Sequence, residues 1–131
     1  MGMTFNGRKC KERDSCAAAC INTLMDRDDC PHFFDGDGSD AVSAWNALRQ
    51  WMRSKGKDLV FFPYVNDPRP RMQELNPDAH YMLIYDTDND THAAIFKGSE
   101  RVFDPAWISA PIKGAIGGTH WLVGVIVDYI P

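Results

Sequence analysis

The feature that most constrains the fold is a series of short β-rich segments, separated by turn residues, in the second half of the sequence. Residues 80–85, 92–97 and 101–104 are rich in aromatic and branched side chains, with Asp/Asn/Thr and Gly-Ser turns between them. A glycine-rich stretch then leads into a last apolar segment, residues 120–130. Because connections this short join antiparallel neighbours, the pattern predicts an antiparallel sheet.

Two helices are predicted ahead of these strands. Residues 14–25 contain a run of alanines behind Asp14, which is a good capping residue. A second helix is expected from a cap at Ser39 or Asp40 to about Lys55, where Gly56 would end it. This order predicts an α+β fold, with N-terminal helices packed on a C-terminal antiparallel β-sheet.

The segment between the second helix and these strands is marked by prolines. Residues 58–65 are β-rich, but Pro63 cannot donate a ladder hydrogen bond and restricts this strand to an edge or a bulge. Residues 66–78 contain three prolines, so we expect an ordered connection there that could form a wall of a cleft.

Size and charge limit the functions open to the chain. Its 131 residues, 44% of them hydrophobic, suit a single domain spanning residues 1–131. A net charge of -4 argues against nucleic acid and anionic membranes as partners. We find no apolar run of membrane-spanning length and no secretion signal. We therefore expect a cytoplasmic protein, or one exported without a cleavable signal or delivered to a host.

Cys16 is the first candidate for chemistry because it falls in the first turn of the predicted N-terminal helix. The positive end of a helix dipole favours the thiolate, which is the nucleophilic form of cysteine. Cys20, one turn later, should point inward and be inert. A nucleophilic cysteine also needs a base, and a third group that orients the base.

Metal binding is the main alternative for the cysteines. Cys10, Cys16, Cys20 and Cys30, with His32, could hold zinc, but none of them forms a C-x-x-C pair. Two aspartate-rich runs, residues 35–40 and 86–90, lack the glycine and glutamate that a calcium loop requires. We interpret both runs as turns and caps, and the sequence predicts no cofactor.

His92 is the best candidate for the base because of its place in a predicted hairpin. It opens a strand whose hairpin partner ends in Asp104, and a turn centred on Gly98 would place the two residues directly opposite each other. A tight two-residue turn at positions 98–99 would instead pair His92 with Pro105 and send Asp104 to the other face. We therefore predict a three-residue or bulged turn.

The same register predicts which side chains share a face of this hairpin. Lys97 and Arg101 would lie together on the outward face. The opposite face would carry five residues: His92, Ala94, Phe96, Val102 and Asp104. Trp107 is expected in the core or as a wall around the pair. His80 and His120 are reserve bases, and Asp86 is a reserve orienting group.

In three short motifs the chain resembles the small papain-like cysteine peptidases. The motifs are Asp14-Ser15-Cys16 at a helix start, the strand His92-Ala93-Ala94-Ile95-Phe96-Lys97-Gly98, and Val102-Phe103-Asp104-Pro105. Within that group it is similar to bacteriocin-leader peptidases and NlpC-type cell-wall endopeptidases. It also resembles small phage-borne members and type VI amidase effectors.

This resemblance implies a papain-like domain with Cys16 as nucleophile, His92 as base and then acid, and Asp104 as orienting group. It further implies hydrolysis of an amide bond in a peptide, a protein or a peptidoglycan peptide. The chain departs from the family pattern at the oxyanion-hole glutamine. Cys10 occupies the position where the family's spacing from the nucleophile would place that glutamine. Asn6 is the only residue before Cys16 with a side-chain amide. Ala17 also replaces the Gly or Trp that often comes after the nucleophile.

Two other classes of protein fit the same residues. One is a papain-like scaffold without activity that serves as a binding or inhibitor module, which the missing glutamine favours. The other is a zinc-stabilised interaction protein built on the N-terminal cysteines. A papain-like site can also transfer acyl groups, so the motifs leave hydrolase and transferase open.

Overall fold

The structure, a computed structural model, describes residues 16–31, 41–105 and 110–130. In these ranges the chain forms an α+β fold of three helices and one five-stranded sheet, which confirms the expected class. The elements are α1 (Cys16–Met25), α2 (Ala41–Ser54), β1 (Lys57–Tyr64), α3 (Arg69–Leu75), β2 (His80–Asp86), β3 (Thr91–Lys97), β4 (Glu100–Phe103) and β5 (Trp121–Asp128). None of the described helices is long and apolar enough to cross a membrane.

The sheet is antiparallel throughout, with the strand order β1-β5-β2-β3-β4. The last strand in sequence, β5, lies between β1 and β2, where both of its edges are paired. Strand β1 lies at one edge, as Pro63 predicts, because an edge strand tolerates a residue without an N–H donor.

Each face of the sheet carries its own apolar cluster. The first cluster combines buried residues of the two longer helices with alternate strand residues: Cys20, Ile21, Leu48, Met52, Leu59, Met82, Ile84, Ala93, Ile95 and Phe103. The second occupies the opposite face: Tyr81, Leu83, Tyr85, Ala94, Phe96, Trp121 and Val123. Because side chains alternate along a strand, His92 shares the face of Ala94 and Phe96.

Helix α3 is an element that the sequence analysis did not predict. Its first residues include Pro70, and Pro68 stands at its N-cap. Proline is compatible with the first helical turn because no intrahelical acceptor is available there for an N–H. Met72 packs against the second cluster, so the proline-rich connection contacts that face of the sheet.

The β3–β4 hairpin differs from the predicted register. Lys97 pairs with Glu100, so the turn contains only Gly98 and Ser99. Gly98 has φ 59, as the first turn residue of a type II′ hairpin requires. The register then shifts between Ile95 and Phe96, and Val102 is the extra residue of a β-bulge. The predicted three-residue or bulged turn is thus a tight turn with the bulge farther along the strands.

The aspartate-rich run at 86–90 forms the turn between β2 and β3, as predicted. Thr87 and Asp90 hydrogen-bond each other across it, through both backbone and side-chain atoms. Asp86 accepts hydrogen bonds from Thr91 Oγ1 and from the Gly117 N–H, each at 2.8 Å. The other run, at 35–40, lies outside the described residues, as do both proposed caps of α2.

Candidate active site

His92 and Asp104 form a buried pair, as the hairpin argument predicts. The Nε2 atom of His92 lies 2.7 Å from Oδ1 of Asp104. Only 8% of His92 and 7% of Asp104 is exposed. His92 is the second residue of β3, and Asp104 comes directly after β4. The hairpin therefore brings together two of the three predicted site residues.

The bulge explains how the pair forms although the two residues are not directly opposite. An unbroken two-residue hairpin would place Asp104 on the face of Ala93, away from His92. The extra residue Val102 shifts β4 by one position, so that Phe103 pairs with Ile95. Asp104 then falls on the face of His92, as its diagonal neighbour.

This contact selects one tautomer of the imidazole. An ionised carboxylate can only accept a hydrogen bond, so Nε2 carries a proton and donates a hydrogen bond to Asp104. In neutral imidazole the other ring nitrogen, Nδ1, is then the basic one. A carboxylate on one ring nitrogen is the arrangement that orients a catalytic histidine.

Two further residues contact the pair and were not identified from the sequence. The ring of Tyr85, which pairs directly with His92 across β2 and β3, meets the imidazole edge to face at 5.8 Å between centroids. Arg101 points to the same side, with Nη1 3.6 Å from Oδ2 of Asp104. The predicted outward position of Arg101 is wrong because it pairs with Phe96, and Val102 is the residue that lies exposed.

Helix α1, which begins with the third predicted residue, packs against β3. Its first residue is Cys16, whose side chain lies outside the described part of the structure. Cys20, one turn later and fully buried, donates its Sγ–H to the carbonyl of Ala93 at 3.5 Å. Ala93 is the next residue after His92, and one helical turn rises about 5.4 Å. The backbone of Cys16 therefore lies one helical turn from the residue that contacts the neighbour of His92.

The two faces of β3 set a condition on any contact between Cys16 and His92. Cys20 and Ile21 pack with Ala93 on one face, whereas His92 projects from the other. His92 lies close to the start of β3. Helix α1 and the His92 imidazole therefore lie on opposite faces of the sheet.

The reserve residues lie elsewhere or have other partners. His80 pairs with Lys97 at the opposite end of the β2–β3 hairpin, and burial, with Lys97, lowers its pKa. His120 Nδ1 lies 2.8 Å from Thr119 Oγ1. Asp86 accepts the hydrogen bonds from Thr91 and Gly117 described above. The positions of Asn6, Cys10, Asp14, His32 and Trp107 lie outside the described residues.

The described residues contain no group of three or more metal-ligating side chains. Of the proposed zinc ligands, Cys20 is buried against β3, and Cys30 lies near Pro31 O at 3.5 Å. Burial, with Asp29 adding to it, raises the pKa of Cys30 to about 12, so its thiolate is disfavoured near neutral pH.

Comparisons of the chain with known protein families, with curated proteins and with solved structures found no match.

Proposed function

We propose that this protein is a papain-like cysteine hydrolase that cleaves an amide bond with Cys16, His92 and Asp104. The observation that carries the proposal is the buried His92–Asp104 contact at 2.7 Å. Helix α1, which begins with Cys16, packs against β3 through the contact of Cys20 with the Ala93 carbonyl, and this supports the assignment of the nucleophile.

The burial of the pair favours a catalytic role over a purely structural one. Removing two ionisable groups from water costs several kcal/mol, and apolar residues in their place are often as stabilising. A polar pair kept 7–8% exposed therefore contributes little to folding by itself. In a catalytic site the same surroundings strengthen the hold of the carboxylate on the imidazole.

The proposed reaction is set by the positions of the protons. The start of α1 favours the Cys16 thiolate, and His92 holds the matching proton on Nδ1. The sulfur attacks the amide carbonyl, and the C–N bond breaks as His92 gives its proton to the leaving amine. His92 then takes a proton from water, the hydroxide attacks the thioester, and the C–S bond breaks. Asp104 keeps Nε2–H oriented throughout.

The substrate class is an amide in a peptide, a protein or a peptidoglycan peptide, and the reaction requires no cofactor. The net charge of -4 disfavours nucleic acids and anionic membranes as partners. Cleavage of an amide by thioester chemistry is compatible with each of these substrates, since the reacting atoms are the same.

Thiol alkylation across pH tests the nucleophile and its base. An ordinary cysteine is only about 0.3% thiolate at pH 6, given a pKa of about 8.5. We expect iodoacetamide to modify Cys16 at pH 6 at least about tenfold faster than an ordinary thiol. His92→Ala should abolish this advantage and Asp104→Ala should reduce it. Mass spectrometry of peptides from the protein locates each adduct.

The chain supplies its own controls for that experiment. Cys20 is fully buried and the pKa of Cys30 is raised to about 12, so neither should react at pH 6. His80→Ala removes a histidine at the far end of the hairpin and should leave Cys16 unaffected. If Cys16 reacts as an ordinary cysteine, with or without His92, the proposed function is wrong.

A further inference from the structure

The guanidinium of Arg101 joins three groups around the candidate site. Its Nη1 donates to the hydroxyl oxygen of Tyr85 at 3.3 Å and to the carbonyl of Ala110 at 3.1 Å. The same atom lies 3.6 Å from Oδ2 of Asp104. The side chain of Arg101 is 27% exposed, whereas the side chain of Asp104 is 5% exposed. The guanidinium thus lies between the buried Asp104 carboxylate and solvent.

We propose that Arg101 is a positioning residue, which holds the Asp104 carboxylate so that its other oxygen faces Nε2 of His92. This inference rests on the proposed function and extends it to a residue that does not touch the reacting atoms.

The contacts form a closed ring of four side chains. Asp104 meets His92 through Oδ1 and faces Arg101 through Oδ2. Arg101 donates to Tyr85, and the Tyr85 ring packs against His92. Because Oδ1 lies 2.7 Å from His92 and Oδ2 lies 3.6 Å from the Arg101 cation, rotation of the carboxylate about its C–C bond would lengthen one contact or the other. The ring therefore fixes the acceptor that orients the imidazole.

The positive charge of Arg101 predicts the direction in which its removal changes the pKa of His92. The titratable and charged groups that face His92 are Tyr85 on β2 and Arg101 and Asp104 at β4, whereas Cys20 on α1 contacts the neighbouring Ala93 carbonyl from the other face. Burial raises the pKa of Tyr85, which keeps the phenol neutral. Arg101 is thus a cation that offsets the negative charge of Asp104. Removing it should strengthen the attraction of Asp104 for imidazolium.

An NMR titration of the His92 ring tests this directly. The resonance is assigned by its absence from the His92→Ala spectrum. We expect Arg101→Gln to raise the pKa of His92 by about one unit, since a charge within about 4–6 Å shifts a pKa by 1–3 units and Arg101 acts through Asp104. Arg101→Lys keeps the cation and should return the pKa close to that of the unaltered protein.

Arg49→Gln is the matched control. It removes an arginine from another carboxylate, Asp58, at the β1 edge of the sheet, and should leave the His92 titration unchanged. If Arg101→Gln does not fold, Arg101→Met keeps the apolar stem and provides the same comparison.

The outcomes separate this inference from the proposed function. A folded, neutral variant at position 101 with an unchanged His92 pKa would overturn the role of Arg101, and so would an equal shift in Arg49→Gln. An unreactive Cys16 in the unaltered protein would overturn the hydrolase, and it is measured independently of the ring titration.

Discussion

At the scale of single residues, two buried carboxylates show how partners decide what an acid does. Asp104 meets one imidazole and one guanidinium. Asp58 instead accepts hydrogen bonds from both Arg49 and Arg53, and from the Leu59 N–H. The Arg49 hydrogen bond, with those from Arg53 and Leu59, lowers the pKa of Asp58 to about 2. Asp58 is therefore a charged clamp between α2 and β1.

The clamp predicts a pH dependence of stability. Because the folded pKa of Asp58 lies below its ordinary value of 3.8, its contribution is complete above about pH 5 and is lost as the pH falls from about 4 to about 2. Both arginines are more than a third exposed, which weakens the ion pairs. We therefore expect Asp58 to contribute about 1–2 kcal/mol to the free energy of unfolding. Asp58→Asn should be less stable by that amount at pH 7, measured by urea unfolding.

The difference between the two proteins should shrink below pH 4, because protonated aspartic acid resembles asparagine in charge. Asp128→Asn is the control, since Asp128 pairs with Lys57 on the surface and is 75% exposed. Its stability should match that of the unaltered protein. A stability difference between Asp58→Asn and the unaltered protein that stays constant down to pH 2 would contradict the clamp assigned to Asp58.

At the scale of elements, the β3–β4 turn depends on α3. Gln73 accepts hydrogen bonds from the Ser99 N–H at 3.1 Å and from the Ser99 hydroxyl at 3.3 Å. Tyr81 donates its hydroxyl to the Gly98 carbonyl at 2.5 Å. These contacts hold the tip of the hairpin whose far end carries His92 and Asp104. Helix α3 thus supports the register that brings the pair together.

Gly98→Ala should disturb this turn more than an ordinary glycine replacement. A Cβ at Gly98 would collide with Gln73 Oε1, and φ is +59°. At Gly56 φ is also positive, but no atom lies within 4 Å of a new Cβ. We expect Gly56→Ala to cost about 1 kcal/mol and Gly98→Ala about 2–3 kcal/mol, because the Gln73 hydrogen bonds are also lost.

Urea unfolding of both variants measures the difference. In a Gln73→Ala background, where these hydrogen bonds are already absent, Gly98→Ala should cost only about as much as Gly56→Ala, measured against the Gln73→Ala protein. Equal losses of stability at Gly56 and Gly98 would show that α3 does not hold the turn.

At the scale of the whole molecule, contacts between distant parts of the chain place the site. Cys20 and Ala93 are 73 positions apart in sequence, and the Cys20 thiol hydrogen-bonds the Ala93 carbonyl. The first apolar cluster joins α1 and α2 to the middle of the sheet. The start of α1 therefore keeps its place near β3 through packing among side chains.

This arrangement predicts a fold that does not depend on a metal. Cys20, one of the proposed zinc ligands, is fully buried and donates its thiol to the Ala93 carbonyl, so it packs against β3 rather than serving as a free ligand. We therefore expect prolonged dialysis against a chelator to leave the Tm of the protein unchanged. Elemental analysis provides the complementary measurement. Stoichiometric zinc, with a lower Tm after its removal, would favour the zinc-stabilised alternative.

Local chemistry in the sequence determined the kinds of element, the antiparallel sheet, the edge position of the Pro63 strand and the choice of His92 and Asp104 as partners. Backbone preferences and turn residues act over a few positions, so such features can be inferred from short segments. The hairpin contact was predicted with the wrong register, since a one-residue bulge leaves no distinct local pattern around Val102.

Only the tertiary structure decided the position of that bulge, the role of α3 and the meeting of Arg101 and Tyr85 at the site. Each depends on groups that are distant in sequence: Gln73 at the turn, and Tyr85 beside His92. Side chains alternate between faces, so a shift of one residue decides whether Asp104 reaches the imidazole. That shift is set by packing across the whole sheet, which no short segment of the sequence contains.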